Sequence, residues 1–245
     1  MKHRLCLPAL AAVAEPGTGT AVTLSSEQAH YLGRVLRLKP GEEVGLFDGR
    51  GREWGARLVS ISSREASAEI VCLTRSEPAP EPLVLVQAWL KGSAMDTVVQ
   101  KAVELGVTGI RLLSADRSNV KLDERRLANK IAHLNRVARS AVEQCESLWL
   151  PELSCVNGLR TLLDTPADSR VLFLDPGAPP LSAGSNPAPI TLVVGPEGGW
   201  SEAERRLALA DPAVTAAGLG DLTLRAETAP LAALAAIRQD WGWRR

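Results

Sequence analysis

The sequence lacks the marks of a disulfide scaffold, a metal protein or a membrane protein. Its 245 residues hold four cysteines, Cys6, Cys72, Cys145 and Cys155, widely scattered and with no CxxC pair. A chain this long and this poor in cysteine has no need of disulfide stapling, so a reducing, cytoplasmic setting is expected. Three histidines, none near a cysteine or another histidine, give no grounds for a metal site. The longest apolar stretches, Leu83–Leu90 and Leu231–Ile237, fall well short of a membrane span. The N-terminal run has the look of a signal peptide, but Pro8 breaks it, and it reads as mature protein. No internal repeat is visible. Net charge is absent too, with 28 Lys and Arg against 28 Asp and Glu, so a nucleic-acid partner would have to meet a local basic surface. Neither G-x-x-x-x-G-K-[ST] nor G-x-G-x-x-G occurs, which disfavours a nucleoside triphosphate or a dinucleotide.

What is present is 45% hydrophobic residues, enough for a sizeable core. Residues 20–75 read as short strands with tight turns. Val44–Phe47 is apolar, Asp48-Gly49-Arg50-Gly51 is a hairpin turn, and Trp54, Ala56, Leu58 and then Ala68, Ile70, Cys72 alternate with other residues. This predicts a small antiparallel sheet or barrel over 1–76. The proline-rich stretch Glu77–Pro82 reads as a stiff linker into a second domain over 82–245. There Leu83–Trp89, Ile110–Leu113, Val171–Leu174 and Thr191–Val194 look like strands buried on both faces. Ser93 and Asp123 stand as caps before helices carrying Met95, Val98, Val99, Ala102, Leu105 and then Leu127, Ile131, Leu134, Ala138, Ala141. Strands alternating with helices predict a parallel α/β sheet. Pro176–Pro189, rich in Pro, Gly and Ser, is expected to be a mobile loop.

Ligands of such sheets bind beyond the C-terminal strand ends. Two loops there stand out. Gly195-Pro196-Glu197-Gly198-Gly199-Trp200-Ser201 follows a buried strand and enters a helix that Ser201 and Glu204 start as a capping box. Its glycines let backbone N–H and C=O groups approach a ligand closely. Leu219–Ala229 carries Leu222 and Leu224, which suit a clasp on a flat apolar ring, and Arg225 and Glu227 flank the next helix start. A plain strand-to-helix turn, or a helix start with a local ion pair, accounts for either loop about as well. Two clusters are basic: Arg34, Arg37 and Lys39, and the longer run Arg111–Arg139, which includes Arg117 and Lys121.

Taken in order, GRVLRLKPG (33–41), LFDG (46–49), QKAVELGV (100–107), RSNVKL (117–122), EQC (143–145), VVGPEGGWS (193–201) and LGDLTLRAETA (219–229) resemble the RsmE family, which methylates N3 of uridine 1498 in 16S ribosomal RNA. The resemblance spans nearly the whole chain. It implies a SPOUT-type methyltransferase domain with a C-terminal trefoil knot, joined to an N-terminal PUA-like β-barrel, acting as a homodimer on RNA, within the small ribosomal subunit, with S-adenosylmethionine as cofactor. Carried over residue by residue, it implies a cofactor site of Leu174, Asp175 and Pro176; Val194, Gly195, Pro196, Glu197, Gly198 and Gly199; and Leu219, Gly220, Leu222, Leu224, Arg225, Thr228 and Ala229. Arg34, Arg37, Lys39, Arg117 and Lys121 would grip RNA, and Arg225 with Glu227 would serve catalysis. The chain departs from the family at Leu222 and Ser147, where arginines are usual, and at Pro230 after ETA. Two alternatives stay open: an enzyme of the same knotted class acting on another RNA, and a relative that binds RNA without turnover.

Overall fold

The computed structural model describes residues 3–13, 16–118, 124–165 and 169–243. The chain forms two compact units, one of Met1–Ala79 with Val142–Leu150, the other of Pro80–Ala141 with Pro151–Arg245.

The first unit is built on a five-stranded sheet of β1 (Arg4–Cys6), β2 (Ala21–Leu24), β3 (Glu43–Phe47), β4 (Arg52–Ile61) and β5 (Ala66–Ser76), in the order β1-β3-β4-β5-β2. It is mixed rather than wholly antiparallel, because β1 runs parallel to β3. Those two strands are not consecutive, so the chain has room for the crossover that parallel pairing needs. One face of the alternating strands, including Trp54, Ala56, Leu58, Ala68 and Ile70, is buried. The alternation stops there. Cys72 is exposed, since register shifts along β4 and β5 break the period-two pattern. Asp48 makes the expected turn: its Oδ1 accepts the N–H groups of Arg50 and Arg52 at 2.7 and 3.0 Å, and Gly49 and Gly51 take φ of 70° and 99°. The turn also holds the returning segment, with Leu150 N–H donating to Gly49 and Gly51 N–H to Leu148. Between β2 and β3 lies α1 (Ser26–His30), started by a Ser25–Gln28 capping box and continued by a π-helical turn, Tyr31–Val35.

The second unit is a six-stranded, fully parallel sheet: β6 (Leu83–Ala88), β7 (Gly109–Leu113), β8 (Glu152–Val156), β9 (Arg170–Leu174), β10 (Ile190–Val194) and β11 (Val214–Ala217), ordered β11-β9-β10-β6-β7-β8. This order is compatible with the knot that the resemblance implies. The four expected strands are β6, β7, β9 and β10. Their largely apolar runs follow from burial on both faces, with Gln87 in β6 and Arg111 in β7 as interruptions, and β10 is buried at every position. The helices are α2 (Ala94–Glu104), α3 (Glu124–Cys145), α4 (Leu159–Leu163), α5 (Glu202–Ala210) and α6 (Thr228–Asp240).

Several local expectations change. Ser93 occupies the N-cap of α2, but its side chain makes no capping hydrogen bond. Leu105, read as part of the buried face, is only half-buried. Asp123 lies outside the described residues. Helix α6 begins at Thr228, two residues before Pro230, whose missing N–H costs little in a first turn. The 176–189 segment, expected to be mobile, is tied at several points. Leu181 N–H donates to Gly218 O at 2.9 Å, Gly218 N–H to Pro179 O at 2.7 Å, and Ala183 N–H to the Asp240 carboxylate at 2.7 Å. Prolines remove donors from this stretch, but Ala178, Leu181 and Ala183 still donate and fix its course. Among the described residues no helix is long and apolar enough to cross a membrane, and no group of three potential metal ligands occurs.

Candidate active site

The C-terminal ends of β9, β10 and β11 open into a cavity of about 400 Å³. Three loops wall it, one from each strand. Leu174, Asp175 and Pro176 line it from the first. Val194, Gly195, Pro196, Glu197 and Gly199 line it from the second, and Leu219, Gly220, Leu222, Leu224 and Ala229 from the third. Gly198, Arg225, Glu227 and Thr228 stand outside the lining. The sequence reading named neither Gly177, Ala217, Gly218 nor Trp200 as site residues, yet all four line it. The first three continue loops already marked. Trp200 gave no signal of its own.

Each loop is held by specific contacts. The Trp200 indole stacks on Phe173, ring centroids 4.6 Å apart, and its Nε1 donates to Leu174 O at 2.9 Å. That links the first loop to the second. Asp175 is 6% exposed and its Oδ2 meets Arg205 Nη2 at 2.8 Å, so a buried carboxylate on the cavity wall is paired from α5. The acid between the glycines, Glu197, also has a structural partner: its Oε1 accepts the Lys91 N–H at 2.9 Å and tethers the second loop to the segment after β6. The expected capping box forms in full, Ser201 Oγ accepting from Glu204 N–H and Glu204 Oε2 from Ser201 N–H. Glu204 Oε1 also accepts the Asp116 N–H at 2.9 Å, and Ser201 Oγ donates to Asp116 Oδ2 at 2.6 Å.

The third loop is different in kind. The backbone N–H groups of Leu219 to Leu224 donate to no backbone acceptor among the described residues. Leu222 is 81% exposed and Leu224 half-buried at the cavity mouth, so the two leucines present apolar surface where a loop would normally be polar. The Arg225 side chain is 86% exposed, and its Nη1 lies 3.8 Å from Glu227 Oε1, a solvated and weak pairing. Glu227 sits at the N-cap of α6 without a capping hydrogen bond.

The basic residues fall in separate places. Arg34, Arg37 and Lys39 are exposed in and just after the π-helical turn of the first unit, and Arg37 takes a positive φ of 58°. Among the described residues none of the three forms an ion pair. Arg117 instead belongs to the second unit's loop network, its Nη1 donating to Gly198 O at 3.2 Å. Lys121 lies outside the described residues.

The family model for an RNA methyltransferase domain matches residues 77–238, and that for an RNA methyltransferase PUA domain matches 24–71. The ribosomal RNA small subunit methyltransferase E of Synechocystis sp. is 34% identical over 224 residues, covering 88% of this chain and 72% of its own. The chain belongs to the RsmE family. Solved methyltransferase structures agree with the fold. The Neisseria gonorrhoeae enzyme, bound to S-adenosyl methionine, aligns with a TM-score of 0.88 at 35% identity over 98% of each chain. A Legionella pneumophila methyltransferase in complex with the same cofactor aligns with a TM-score of 0.88 at 30% identity, again over 98% of each chain. Membership of RsmE accounts for the parallel sheet and for the PUA-type sheet that precedes it.

Proposed function

We propose that this chain methylates N3 of a specific uridine in 16S ribosomal RNA, the position its family resemblance implies, using S-adenosylmethionine. The observation that carries the reading is the cavity walled by three strand-end loops, whose lining is mostly apolar and whose third loop carries a row of backbone N–H groups with no backbone acceptor among the described residues. These features fit the cofactor. About 400 Å³ lies within the range of small-molecule sites. Leu222 and Leu224 offer apolar contact to an adenine ring, and these backbone groups offer hydrogen bonds to its edge. Leu174–Pro176, Val194–Glu197 with Gly199, and Leu219–Leu224 with Ala229 would hold the molecule. The bound cofactor supplies a sulfonium methyl group.

The remaining work falls to the chain's own residues and to RNA. Uracil N3 carries a proton that must leave before the nitrogen can accept a methyl, and the base must leave its stack to be reached. Arg225, solvated beside the cavity rather than within its wall, is available to a base delivered from outside. Its guanidinium would stabilise negative charge developing on a uracil oxygen. Glu227 would orient Arg225, and the N3 proton would pass to water beside this solvated pair as the methyl is transferred and S-adenosylhomocysteine is left. The first unit, with Arg34, Arg37 and Lys39 exposed, would grip phosphates and fix the register of the RNA. The reading includes a homodimer working in the cytoplasm on the small subunit.

The test is labelled methyl transfer to small ribosomal subunits that lack the modification, followed by digestion to nucleosides. Label in 3-methyluridine is expected. Label in another nucleoside would make the chain a methyltransferase of different site preference. Nucleoside binding without any transfer would make it a non-catalytic relative.

A further inference from the structure

Strand β6 reads Leu-Val-Leu-Val-Gln-Ala, a buried apolar run interrupted by one amide. Gln87 is 0% exposed. It lies on a central strand, in register with Val194 on one side and Leu112 on the other. Its Nε2 donates to Ala88 O at 3.1 Å and to Gly195 O at 3.2 Å. Two carbonyl partners fix which end of the amide is nitrogen, since the oxygen could donate to neither. Its Oε1 is buried and has no hydrogen-bond partner among the described residues. An unsatisfied buried acceptor is destabilising, and an apolar side chain of the same shape would avoid it. Packing alone therefore does not account for glutamine here.

The second bond shows what the amide does. Gly195 is the first residue of the second cavity loop and lines the cavity. The Trp200 ring lies close on one side, since a Cβ at this position would meet it at 3.1 Å. Trp200 belongs to the apolar cluster on the face of the sheet that holds Val86 and Ala88. Strand alternation puts Gln87 on the opposite face. The Gly195 peptide is thus braced from both sides of the sheet, by an indole on one and by an amide on the other.

We infer that Gln87 is a positioning residue for the cofactor loop, holding the Gly195 carbonyl without itself lining the cavity. The inference rests on the cavity's being the S-adenosylmethionine site. The design trades stability for a fixed loop: a buried oxygen is left unpaired so that the nitrogen can pin Gly195.

The experiment measures two quantities, the affinity for S-adenosylhomocysteine by calorimetry and the melting temperature of the ligand-free protein, for the parent, Gln87→Met and Gln87→Glu. Failure of the parent to bind would defeat the cofactor reading itself, before any variant is considered. With a parent that binds, Gln87→Met, which removes an unpaired oxygen and a donor to Gly195 O together, is expected to melt close to the parent and to bind about three- to ten-fold more weakly, the worth of one hydrogen bond. Parent-like affinity in Gln87→Met would overturn the inference. If Gln87→Met does not fold, Gln87→Glu decides. Its carboxylate cannot donate to Gly195, but its protonated form can, and burial favours that form. Its affinity relative to the parent is expected to tighten as pH falls from 8 to 5. A ratio of one at a pH where carbon-13 NMR shows the introduced carboxyl to be ionised would overturn the inference.

Discussion

Gly218→Ala isolates the link between the 176–189 segment and the end of β11. A Cβ on Gly218 would fall well inside van der Waals distance of Ala178 O, a backbone atom that cannot swing aside. The segment must shift, and two hydrogen bonds go with it: Gly218 N–H to Pro179 O at 2.7 Å and Leu181 N–H to Gly218 O at 2.9 Å. Each is worth about 1 kcal/mol. Overpacking adds about 1–3 kcal/mol. The sum, about 3–5 kcal/mol, corresponds to a fall of roughly 10 °C in the melting temperature of a domain this size. Because Gly218 lines the cavity, binding of S-adenosylhomocysteine should weaken as well. Gly109→Ala serves as the control, since its Cβ would meet Val84 at 3.5 Å, an ordinary contact. It is expected to stay within about 1 kcal/mol of the parent. The assay is thermal unfolding by circular dichroism alongside calorimetric binding. A Gly218→Ala protein that melts within 2 °C of the parent and binds equally well would refute the reasoning, as would a Gly109→Ala protein equally damaged.

Three further outcomes follow from particular contacts. Arg225→Ala should lower methyl transfer by roughly 10²-fold while leaving S-adenosylhomocysteine affinity unchanged, because its side chain lies outside the cavity lining; steady-state transfer and calorimetry check both halves. Arg238 is buried, which pushes its guanidinium pKa down, and it donates to Leu105 O at 2.8 Å and to Gly106 O at the end of α2; Arg238→Met should strip those carbonyls of their donors and cost about 2–4 kcal/mol in denaturant unfolding. Burial raises the Asp96 carboxyl, but hydrogen bonds from His133 at 2.7 Å and Lys130 at 2.9 Å outweigh it and hold its pKa below the usual value; the folded state therefore gains stability above about pH 4 and loses it as pH falls through the depressed value, so Asp96→Asn should cost about 0.5 kcal/mol at pH 7 and nothing at pH 2 in pH-stepped unfolding.

Much of the second unit was legible because burial on two faces leaves a simple trace. Strands β6, β7, β9 and β10 are mostly apolar runs, and Ser201 with Glu204 marks a helix start by local chemistry alone. The first unit was legible only where its strands are regular, since a register shift moves Cys72 out of the pattern without changing its neighbours in sequence. Contacts between distant residues left no such trace. Nothing local says that Val142–Leu150 returns to the Asp48–Gly51 turn, or that a proline-rich segment is tied down by Gly218 and Asp240. At the cavity, glycines and leucines marked the second and third loops, whereas Trp200 and Gln87 act through packing and hydrogen bonds that only the folded sheet creates. Glu197 was noticed as an acid between glycines, but its partner is a backbone N–H at Lys91, invisible to any pattern of side chains.

A crystal structure of the protein with S-adenosylhomocysteine tests the central claim most directly. The nucleoside is expected in the hollow bounded by Leu174, Gly195 and Leu219, with its ring against Leu222 or Leu224 and its edge on backbone groups of the third loop. Density for it elsewhere, or none at saturating concentration with that hollow accessible, would contradict the account.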